Sequence, residues 1–481
     1  MIFPFLPELS NNNAICVKDK FFTYTQFRKR IDSIAFELST HNYKNAAIGL
    51  VASDHVDTYA AIMAIWATGN IFVPLNPYHP KDRIESIVSQ SEIKLILYSV
   101  EKVNSDKNFV CTLDLEEKGF TDIAQPKNED IAYILFTSGS TGLPKGVPVS
   151  YGNVRSFLKG LDAIQYELDV DSKFLQMFDL SFDLSIVSIL APMIFKGCMF
   201  TVPNNDIKYQ TVYRLLEEYD IEFAIVVPSI ITYLRPYFEE ICLEKMKHLC
   251  FSAEASKDTI TSEFMKCCPN AKFYNLYGPT EATIFALWYN IPTKNIPSQN
   301  GIISIGQPTI ETEALIVDDE NNIVKDGEKG ELLLSGNQVI SSYLKDEEKD
   351  KEAFVYINNK RYYRTGDICS KDGDLYFYLG RKDYQVKVRG FRVELSEIEH
   401  HITSYCNENR TVALASKDEN ESEIIVAIIE SEEIDTKKLN EYLKSKMPFY
   451  MIPSKYYFMS NFPLNNNGKI NRKEIEKIFL N

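Results

Sequence analysis

The chain is predicted to be a mixed α/β protein, with parallel sheets flanked by helices in its large N-terminal part. Apolar, strand-like runs alternate with helix-like stretches through most of the sequence, a pattern typical of parallel sheets covered by helices. From about residue 304 to 378 the pattern changes to short strands and turns, which predicts a β-rich subdomain. The residues after Asp383 alternate again and predict a small α/β module. At 481 residues the chain is long enough for two or more domains.

The individual elements follow from short apolar runs and their spacing. Strands are predicted at residues 46–51, 94–98, 131–136, 223–227, 248–251 and 272–275. Helices are predicted at residues 59–68 and 211–219. The charge run at 346–352 is interpreted as the solvated face of a helix. Residues 380–383 are predicted to form a hinge, and strands at 411–415 and 424–429 and a helix near 437–446 are predicted beyond it.

Composition excludes several classes of protein. The net charge of −15 argues against broad binding to nucleic acid or to anionic membranes, because either needs a basic face. No basic, apolar leader is evident at the start and no apolar run is long enough to span a membrane, so we expect a cytoplasmic protein without membrane insertion. The nine cysteines show no metal-binding spacing and are interpreted as reduced packing residues, and the six histidines form no metal or triad spacing.

The most informative segment is Leu-Phe-Thr-Ser-Gly-Ser-Thr-Gly-Leu-Pro-Lys-Gly at residues 135–146, directly after a predicted strand. Its glycines allow the backbone to approach a ligand closely, its hydroxyls donate hydrogen bonds, and its lysine adds a positive charge. A flexible surface loop is the alternative, but such a loop has no use for a lysine held beside a proline. The P-loop motif Gly-x-x-x-x-Gly-Lys-Ser/Thr does not fit. We therefore predict a nucleotide-phosphate loop of another kind, formed by Thr137, Ser138, Gly139, Ser140, Thr141, Gly142 and Lys145.

This loop resembles the phosphate-binding loop of the adenylate-forming enzymes, which include acyl-CoA synthetases, luciferases and amino-acid adenylation domains. Further family-like segments follow in the expected order, from about residue 70 to the C-terminus: Val-Pro-Leu-Asn-Pro at 73–77, Phe-Asp-Leu-Ser at 182–185, Tyr-Gly-Pro-Thr-Glu at 277–281, Gly-Glu-Leu at 330–332, Tyr-Arg-Thr-Gly-Asp at 363–367, Gly-Arg-Lys-Asp at 380–383, Gln-Val-Lys-Val-Arg-Gly at 385–390 and Asn-Gly-Lys at 467–469. The resemblance implies an N-terminal domain at residues 1–382 that binds ATP and an amino acid. It also implies a mobile C-terminal lid at 383–481 that turns about a hinge at Asp383.

The resemblance also implies roles for individual nucleotide-site residues. Glu281 would hold Mg²⁺ and Thr280 would contact phosphate, although a glutamate at a helix N-terminus is common without any ligand. Asn275 and Tyr277 would contact the adenine, with Tyr277 stacking on the base. Asp367 would accept hydrogen bonds from the ribose hydroxyls with Arg381 as a second contact, the alternative being an ordinary turn aspartate. Lys469 would enter the site on lid closure and neutralise charge that develops on the α-phosphate.

Asp183 is the residue that distinguishes an amino-acid substrate from a fatty acid. In the resembled amino-acid branch, the aspartate of Phe-Asp-x-Ser pairs with the substrate α-ammonium group. A second copy at 178–181 makes the register ambiguous. We assign Asp183 because a long apolar run follows it, and a helix-capping aspartate fits Asp179 better. The side-chain pocket, carried over by register, would be Leu184, Val187, Ile225, Cys250, Ser252, Leu276, Ile284 and Phe285. None of these residues is charged, so a small or medium neutral amino acid is expected.

The predicted activity is ATP- and Mg²⁺-dependent formation of an aminoacyl-adenylate, followed by transfer to a phosphopantetheine thiol. No Gly-x-Asp-Ser-Leu carrier motif is present, so the carrier protein would be a separate chain. The enzyme is expected to be a monomer. Ser252, Leu276, Ile284 and Phe285 resemble the pocket residues of cysteine-activating domains, which favours cysteine or another small neutral substrate. D-alanine–carrier protein ligases of cell-wall modification are an alternative, similar in length and at 451–470, but they often carry cysteine where Ser252 stands. An acyl-CoA synthetase of a small acid is a second alternative, and a non-catalytic nucleotide-binding regulator is disfavoured by the presence of Lys469, Glu281 and Asp367.

Overall fold

The computed structural model describes residues 3–100, 108–138, 144–203, 206–383, 385–406, 410–418, 423–463 and 470–480. By internal contacts the chain divides into two compact units. The first comprises Met1–Pro77, Val88–Leu135 and Gly146–Lys382. The second comprises Asp383–Asn481 together with two segments from earlier in the sequence, Tyr78–Ile87 and Phe136–Lys145.

A nine-stranded sheet forms the largest layer of the first unit. Its six central strands are parallel and its edge strands are antiparallel. In spatial order the strands are Gln307–Pro308, Leu287–Ile291, Lys272–Tyr277, His248–Phe251, Phe223–Val226, Lys173–Gln176, Cys198–Thr201, Asn13–Val17 and Lys20–Thr23. The central strands are almost wholly buried, as expected for parallel strands covered on both faces.

A six-stranded sheet carries the predicted phosphate loop between its last two strands. Its order is Phe109–Cys111, Leu95–Tyr98, Ala47–Val51, Ile71–Leu75, Ile131–Thr137 and Lys145–Ser150. The helices in the sequence up to residue 264 are Tyr24–Thr40, Val56–Ala67, Lys81–Ser91, Tyr151–Ala163, Leu184–Phe195, Lys208–Glu218, Pro228–Leu234 and Asp258–Phe264. Every residue of Val56–Ala67 is buried, so this helix belongs to the hydrophobic core.

The predicted β-rich subdomain is a five-stranded antiparallel sheet. Its strands are Thr312–Val317, Gly330–Gly336, Lys360–Asp372, Phe354–Ile357 and Leu375–Arg381, and a small hairpin pairs Ser298–Gln299 with Ile302–Ile303. The charge run forms the helix Glu347–Ala353, in which only Ala353 is buried, as predicted. Asp346 caps this helix by accepting a hydrogen bond from the Lys349 backbone.

In the described residues of its C-terminal part, the second unit contains two small sheets and three helices. The hairpin Gln385–Val388 and Phe391–Glu394 is one sheet, and Thr411–Lys417, Glu423–Ile429 and Lys455–Phe458 form the other. The helices are Leu395–Tyr405, Thr436–Lys446 and Arg472–Leu480. Asp383, the predicted hinge, is exposed and its carboxylate accepts a hydrogen bond from the Gln385 backbone at 3.2 Å. The hinge function and the domain limits 1–382 and 383–481 stay predictions.

The fold class is confirmed, and the predicted helices and strands differ from those of the structure at their ends. Half of the predicted hinge at 380–383 differs too, because Gly380 and Arg381 end the strand Leu375–Arg381. The helix predicted at 59–68 begins at Val56, because His55 supplies an N-cap that accepts a hydrogen bond from the Asp57 backbone. The helix predicted at 211–219 begins at Lys208. Among the helices that the structure describes, none has the length and apolar character needed to cross a bilayer.

Candidate active site

Three of the predicted nucleotide residues form one buried cluster. Asp367 and Arg381 lie opposite each other in an antiparallel pair, and Arg381 Nη1 donates to Asp367 Oδ1 at 2.6 Å. Tyr277, the last residue of its strand, donates its hydroxyl to Asp367 Oδ2. Burial and the nearby Asp367 carboxylate raise the pKa of Tyr277 well above its ordinary value, so the hydroxyl stays a donor. The structure thus brings the Tyr277 and Arg381 side chains together on the Asp367 carboxylate. The contacts of these three residues with adenine and ribose stay predictions.

Asn275 lies on the same strand as Tyr277 and on the same face, because the two are separated by one residue. Its side-chain amide donates to the Ser304 backbone carbonyl at 2.9 Å and accepts from the Ser256 hydroxyl at 3.1 Å. These contacts tie the strand to neighbouring loops. The amide therefore has a structural role in addition to the predicted contact with the nucleotide.

Glu281 is fully buried in a 3₁₀ turn at Thr280–Ala282 that directly follows the Tyr-Gly-Pro segment. Its carboxylate accepts a hydrogen bond from the Tyr343 hydroxyl at 2.7 Å. Gly278 is required just before the turn, since a Cβ there would lie 2.6 Å from the Phe285 Cα atom. The chain therefore doubles back tightly at the point where Thr280 and Glu281 are presented.

A Mg²⁺ ion that arrives with ATP stays a prediction, with Glu281 as its protein ligand. Among the described residues no group of three or more His, Cys, Asp or Glu side chains is placed to hold a metal. Mg²⁺ is commonly bound by one or two carboxylates together with substrate phosphates. The Glu281 carboxylate and the Thr280 hydroxyl supply hard oxygen ligands of that kind.

The predicted phosphate loop is described only at its two ends. Gly139, Ser140, Thr141, Gly142 and the catalytic candidate Lys469 lie outside the described residues. Thr137 Oγ1 is buried and has no hydrogen-bond partner among the residues that the structure describes. Such a hydroxyl fits a phosphate oxygen, because a buried donor without a partner is costly.

The Ser138 hydroxyl, in contrast, is already bonded to main chain within the second unit. It donates to the Arg392 carbonyl and accepts from the Glu394 backbone amide, both at 3.1 Å. Both residues belong to the strand Phe391–Glu394 of the hairpin. A phosphate contact by Ser138 would therefore have to replace these two hydrogen bonds. Lys145 begins the strand that follows the loop.

The two candidate ammonium-binding aspartates differ sharply in their surroundings. The Asp179 carboxylate accepts hydrogen bonds from the Ser181 backbone and hydroxyl at 2.8 and 2.6 Å, and from the Asn76 amide. Asp183 occupies the N-cap position of the helix Leu184–Phe195 but makes no side-chain capping bond, and it is 8% exposed. The interpretation of Asp179 as a helix cap is therefore wrong. Its carboxylate closes a local turn with Ser181, and the helix begins only at Leu184.

The predicted pocket residues are all buried in the first unit. Ile225 and Cys250 are partners in the parallel register, and Leu276 is on the same face as Cys250. The Ser252 hydroxyl donates to the Leu276 carbonyl at 3.0 Å. The full set, each at most 4% exposed, is Leu184, Val187, Ile225, Cys250, Ser252, Leu276, Ile284 and Phe285.

Cys250 is the pocket candidate with the clearest packing role. Its sulfur lies 3.7 Å from the hydroxyl of Tyr166, and burial raises the pKa of its thiol to about 12. It is therefore an unreactive thiol in the core. Phe285, another pocket candidate, packs its ring edge to face against Phe157, with the ring centroids 4.9 Å apart.

Sequence reasoning missed three sets of contacts to the candidate site residues. Tyr343 binds Glu281, Gln338 binds the loop after it, and the main chain of the strand Phe391–Glu394 binds Ser138. Each contact joins positions more than fifty residues apart in the sequence. No local pattern could have indicated them.

Comparison with known proteins places these features in a family. A sequence profile described as AMP-binding enzyme matches residues 8–344. A D-alanine–D-alanyl carrier protein ligase of Bacillus cereus (strain AH187) is 29% identical, with 97% of this chain and 96% of the relative covered.

Solved adenylation domains share the fold. The Vibrio cholerae adenylation domain AlmE, in complex with glycyl-adenosine-5'-phosphate, matches with a TM-score of 0.87 and 22% identity over 97% of this chain and 95% of that one. The adenylation part of NpsA-ThdA, an artificially fused adenylation-PCP di-domain from Klebsiella oxytoca, matches with a TM-score of 0.82 and 20% identity over 93% and 90% of the two chains. The family profile spans well over half of the sequence and confirms the predicted family and its AMP-forming ligase chemistry. The chain belongs to the AMP-binding enzyme family.

Proposed function

We propose that this enzyme activates a small neutral amino acid with ATP and transfers it to the phosphopantetheine thiol of a separate carrier protein. In the first step a substrate carboxylate oxygen attacks the α-phosphorus and pyrophosphate leaves. In the second step the thiol sulfur attacks the carbonyl carbon, loses its proton and releases AMP. The observation that carries the proposal is the buried carboxylate of Asp183, directly before the pocket candidate Leu184 in the sequence, together with the lack of charge on every pocket candidate.

Asp183 suits an α-ammonium group better than Asp179 does. Three hydrogen bonds already engage Asp179. A substrate ammonium at Asp179 would have to share this carboxylate with the three donors that it already accepts from. Asp183 is held near the positive end of a helix, which favours its ionised form.

D-alanine is the first candidate for the substrate. The curated relative, matched over nearly the whole of both chains, is a D-alanine–D-alanyl carrier protein ligase. The uncharged, closely packed pocket candidates agree with a small side chain, because a charged one would be left unpaired. Cysteine stays the alternative that Ser252, Leu276, Ile284 and Phe285 favour.

The nucleotide would be bound by residues of the family-like segments. Within the first unit, Asp367 would exchange part of its contact with Tyr277 and Arg381 for the ribose hydroxyls, and Glu281 would hold Mg²⁺ together with the phosphates. Mg²⁺ supplies neutralising charge to the leaving pyrophosphate. Thr137, Ser138, Lys145 and the loop between them would cradle the phosphates, and Lys469 would stabilise the charge that develops during adenylation.

Rotation about Asp383 would then present the hairpin segment 385–390 to the incoming thiol. A carrier protein as the acceptor is supported by the activity of the Bacillus cereus relative and by the shared fold of the fused adenylation-PCP protein.

Trapping the acceptor tests this proposal. The enzyme is incubated with Mg·ATP and radiolabelled D-alanine, and with the holo form of a D-alanyl carrier protein, its apo form or free CoA. Label that becomes attached to the holo protein alone and is released by hydroxylamine supports the proposal. Label recovered as a CoA thioester, with none on the carrier protein, would make the chain an acyl-CoA synthetase.

A further inference from the structure

The backbone directly after Glu281 is strained. Thr283 and Ile284 are consecutive residues with positive φ angles of 56° and 72°. Side chains other than glycine rarely adopt this left-handed conformation, and a β-branched isoleucine there is a real outlier. Such strain persists only where neighbouring groups hold the backbone in place, and it is concentrated at functional sites.

Gln338 is the group that holds this loop. Its side chain is fully buried, and Nε2 donates to the Phe285 carbonyl at 2.8 Å, with longer contacts to the carbonyls of Ala282 and Thr283 at 3.3 and 3.4 Å. In return, the Thr283 hydroxyl donates to the Gln338 main-chain carbonyl at 2.5 Å. One amide thus spans the whole strained segment.

Gln338 is itself fixed from the other side. Its Oε1 atom accepts a hydrogen bond from the buried Thr309 hydroxyl at 2.7 Å. The carbonyls of its neighbours Asn337 and Val339 accept from the Asn153 amide at 2.8 and 3.2 Å. Both the side-chain amide and the backbone of Gln338 are therefore held in place by contacts outside the loop.

The loop held by Gln338 carries residues of two candidate subsites. Glu281 and Thr280 precede the strained pair, and Ile284 and Phe285 are pocket candidates. The Glu281 main-chain carbonyl is also bonded by the Ile340 amide at 2.9 Å, two residues beyond Gln338. A shift of this loop would move the metal ligand and the pocket wall together.

We infer that Gln338 is a positioning residue that sets the pocket wall at Ile284 and Phe285, and with it the amino-acid selectivity of the enzyme. This inference rests on the proposed function. Without the amide, the carbonyls of the loop lose their donor and the strained pair relaxes. The pocket then admits larger side chains and the preferred amino acid is bound less well.

The test compares Gln338→Met, which matches the size of glutamine without its donors, with the neighbouring control Asn337→Ala, whose side chain is exposed. Gln338→Glu is a second variant that keeps the acceptor for Thr309 but removes the donors. Pyrophosphate exchange is measured with the preferred amino acid and with one that is one methylene larger. We expect both Gln338 variants to raise the KM of the preferred amino acid about tenfold and to reduce its kcat/KM advantage over the larger one by a similar factor.

Amide hydrogen exchange supplies a readout that does not depend on catalysis. Peptides covering 278–290 are expected to exchange faster in the Gln338 variants than in Asn337→Ala. Variants that keep both the selectivity ratio and the exchange rates of the wild type would overturn the inference, even if their unfolding temperature fell. If the wild type activated no amino acid, the proposed function would fail. Unchanged hydrogen exchange in the Gln338 variants would separately refute the role of Gln338 in holding the loop.

Discussion

Replacing Asp183 by alanine should abolish the preference for an amino acid over its des-amino analogue. The Asp183 side chain is 8% exposed and makes no helix-capping bond that the substitution would break. Its proposed partner, the substrate ammonium, would be left buried without a counter-ion. Removing one partner of a buried ion pair costs about 3–5 kcal/mol, which corresponds to a loss of roughly a hundredfold to several thousandfold in kcat/KM.

The assay is amino-acid-dependent ATP–pyrophosphate exchange with D-alanine and with propionate, its des-amino analogue. The wild type should strongly prefer D-alanine, and Asp183→Ala should bring the two kcat/KM values close together while the KM for ATP changes little. The comparison of two substrates on one enzyme preparation removes any effect of a changed active fraction.

Asp179→Asn is the matched control. Its carboxylate binds the Ser181 backbone and hydroxyl, so its replacement should lower the free energy of unfolding by about 1–3 kcal/mol and leave the substrate ratio unchanged. An unchanged ratio in Asp183→Ala, or a collapsed ratio in Asp179→Asn, would refute the assignment of the ammonium site to Asp183.

Three further predictions concern the nucleotide site and stability. Lys469→Ala should lower the rate of adenylate formation on the order of 10²–10³-fold while ATP still binds, and near-normal exchange would remove Lys469 from the mechanism. Tyr277→Phe removes a hydrogen-bond donor to the Asp367 carboxylate and should raise the KM for ATP severalfold; an unchanged KM would separate this cluster from the nucleotide. Burial lowers the pKa of His248 from 6.5 to about 4, so between these pH values the unfolded state binds a proton that the folded state does not. The free energy of unfolding should therefore be highest above about pH 6.5 and fall towards pH 4. The fall should be less steep in His248→Phe.

The layered fold could be predicted from the sequence because its strands are short apolar runs with local turn signals. Strand 248–251 was located to the residue, since a fully buried parallel strand needs no alternation. The helix beginning at Val56 was placed three residues late, because a histidine N-cap is an unusual signal. The association of Tyr78–Ile87 and Phe136–Lys145 with the C-terminal residues was not predictable, because it depends on contacts between distant parts of the chain.

The candidate site could be predicted only as a set of motif residues. Asp367 and Arg381, both assigned to the ribose, lie opposite each other in the sheet, and their contacts with ribose stay predictions. The ambiguity between Asp179 and Asp183 could be addressed only once the partners of Asp179 were visible. Gln338 escaped prediction because its side-chain amide contacts the loop through backbone carbonyls, which carry no sequence signature.

The central claim is that the enzyme forms an aminoacyl-adenylate from a small neutral amino acid. A single screen of ATP–pyrophosphate exchange tests it most directly. The substrates are D-alanine, glycine, the L-amino acids including cysteine, and propionate, each with Mg·ATP. We predict exchange that depends on one or a few small neutral amino acids, with D-alanine first among them. Exchange supported by propionate in preference to every amino acid, or by no carboxylate at all, would contradict the account.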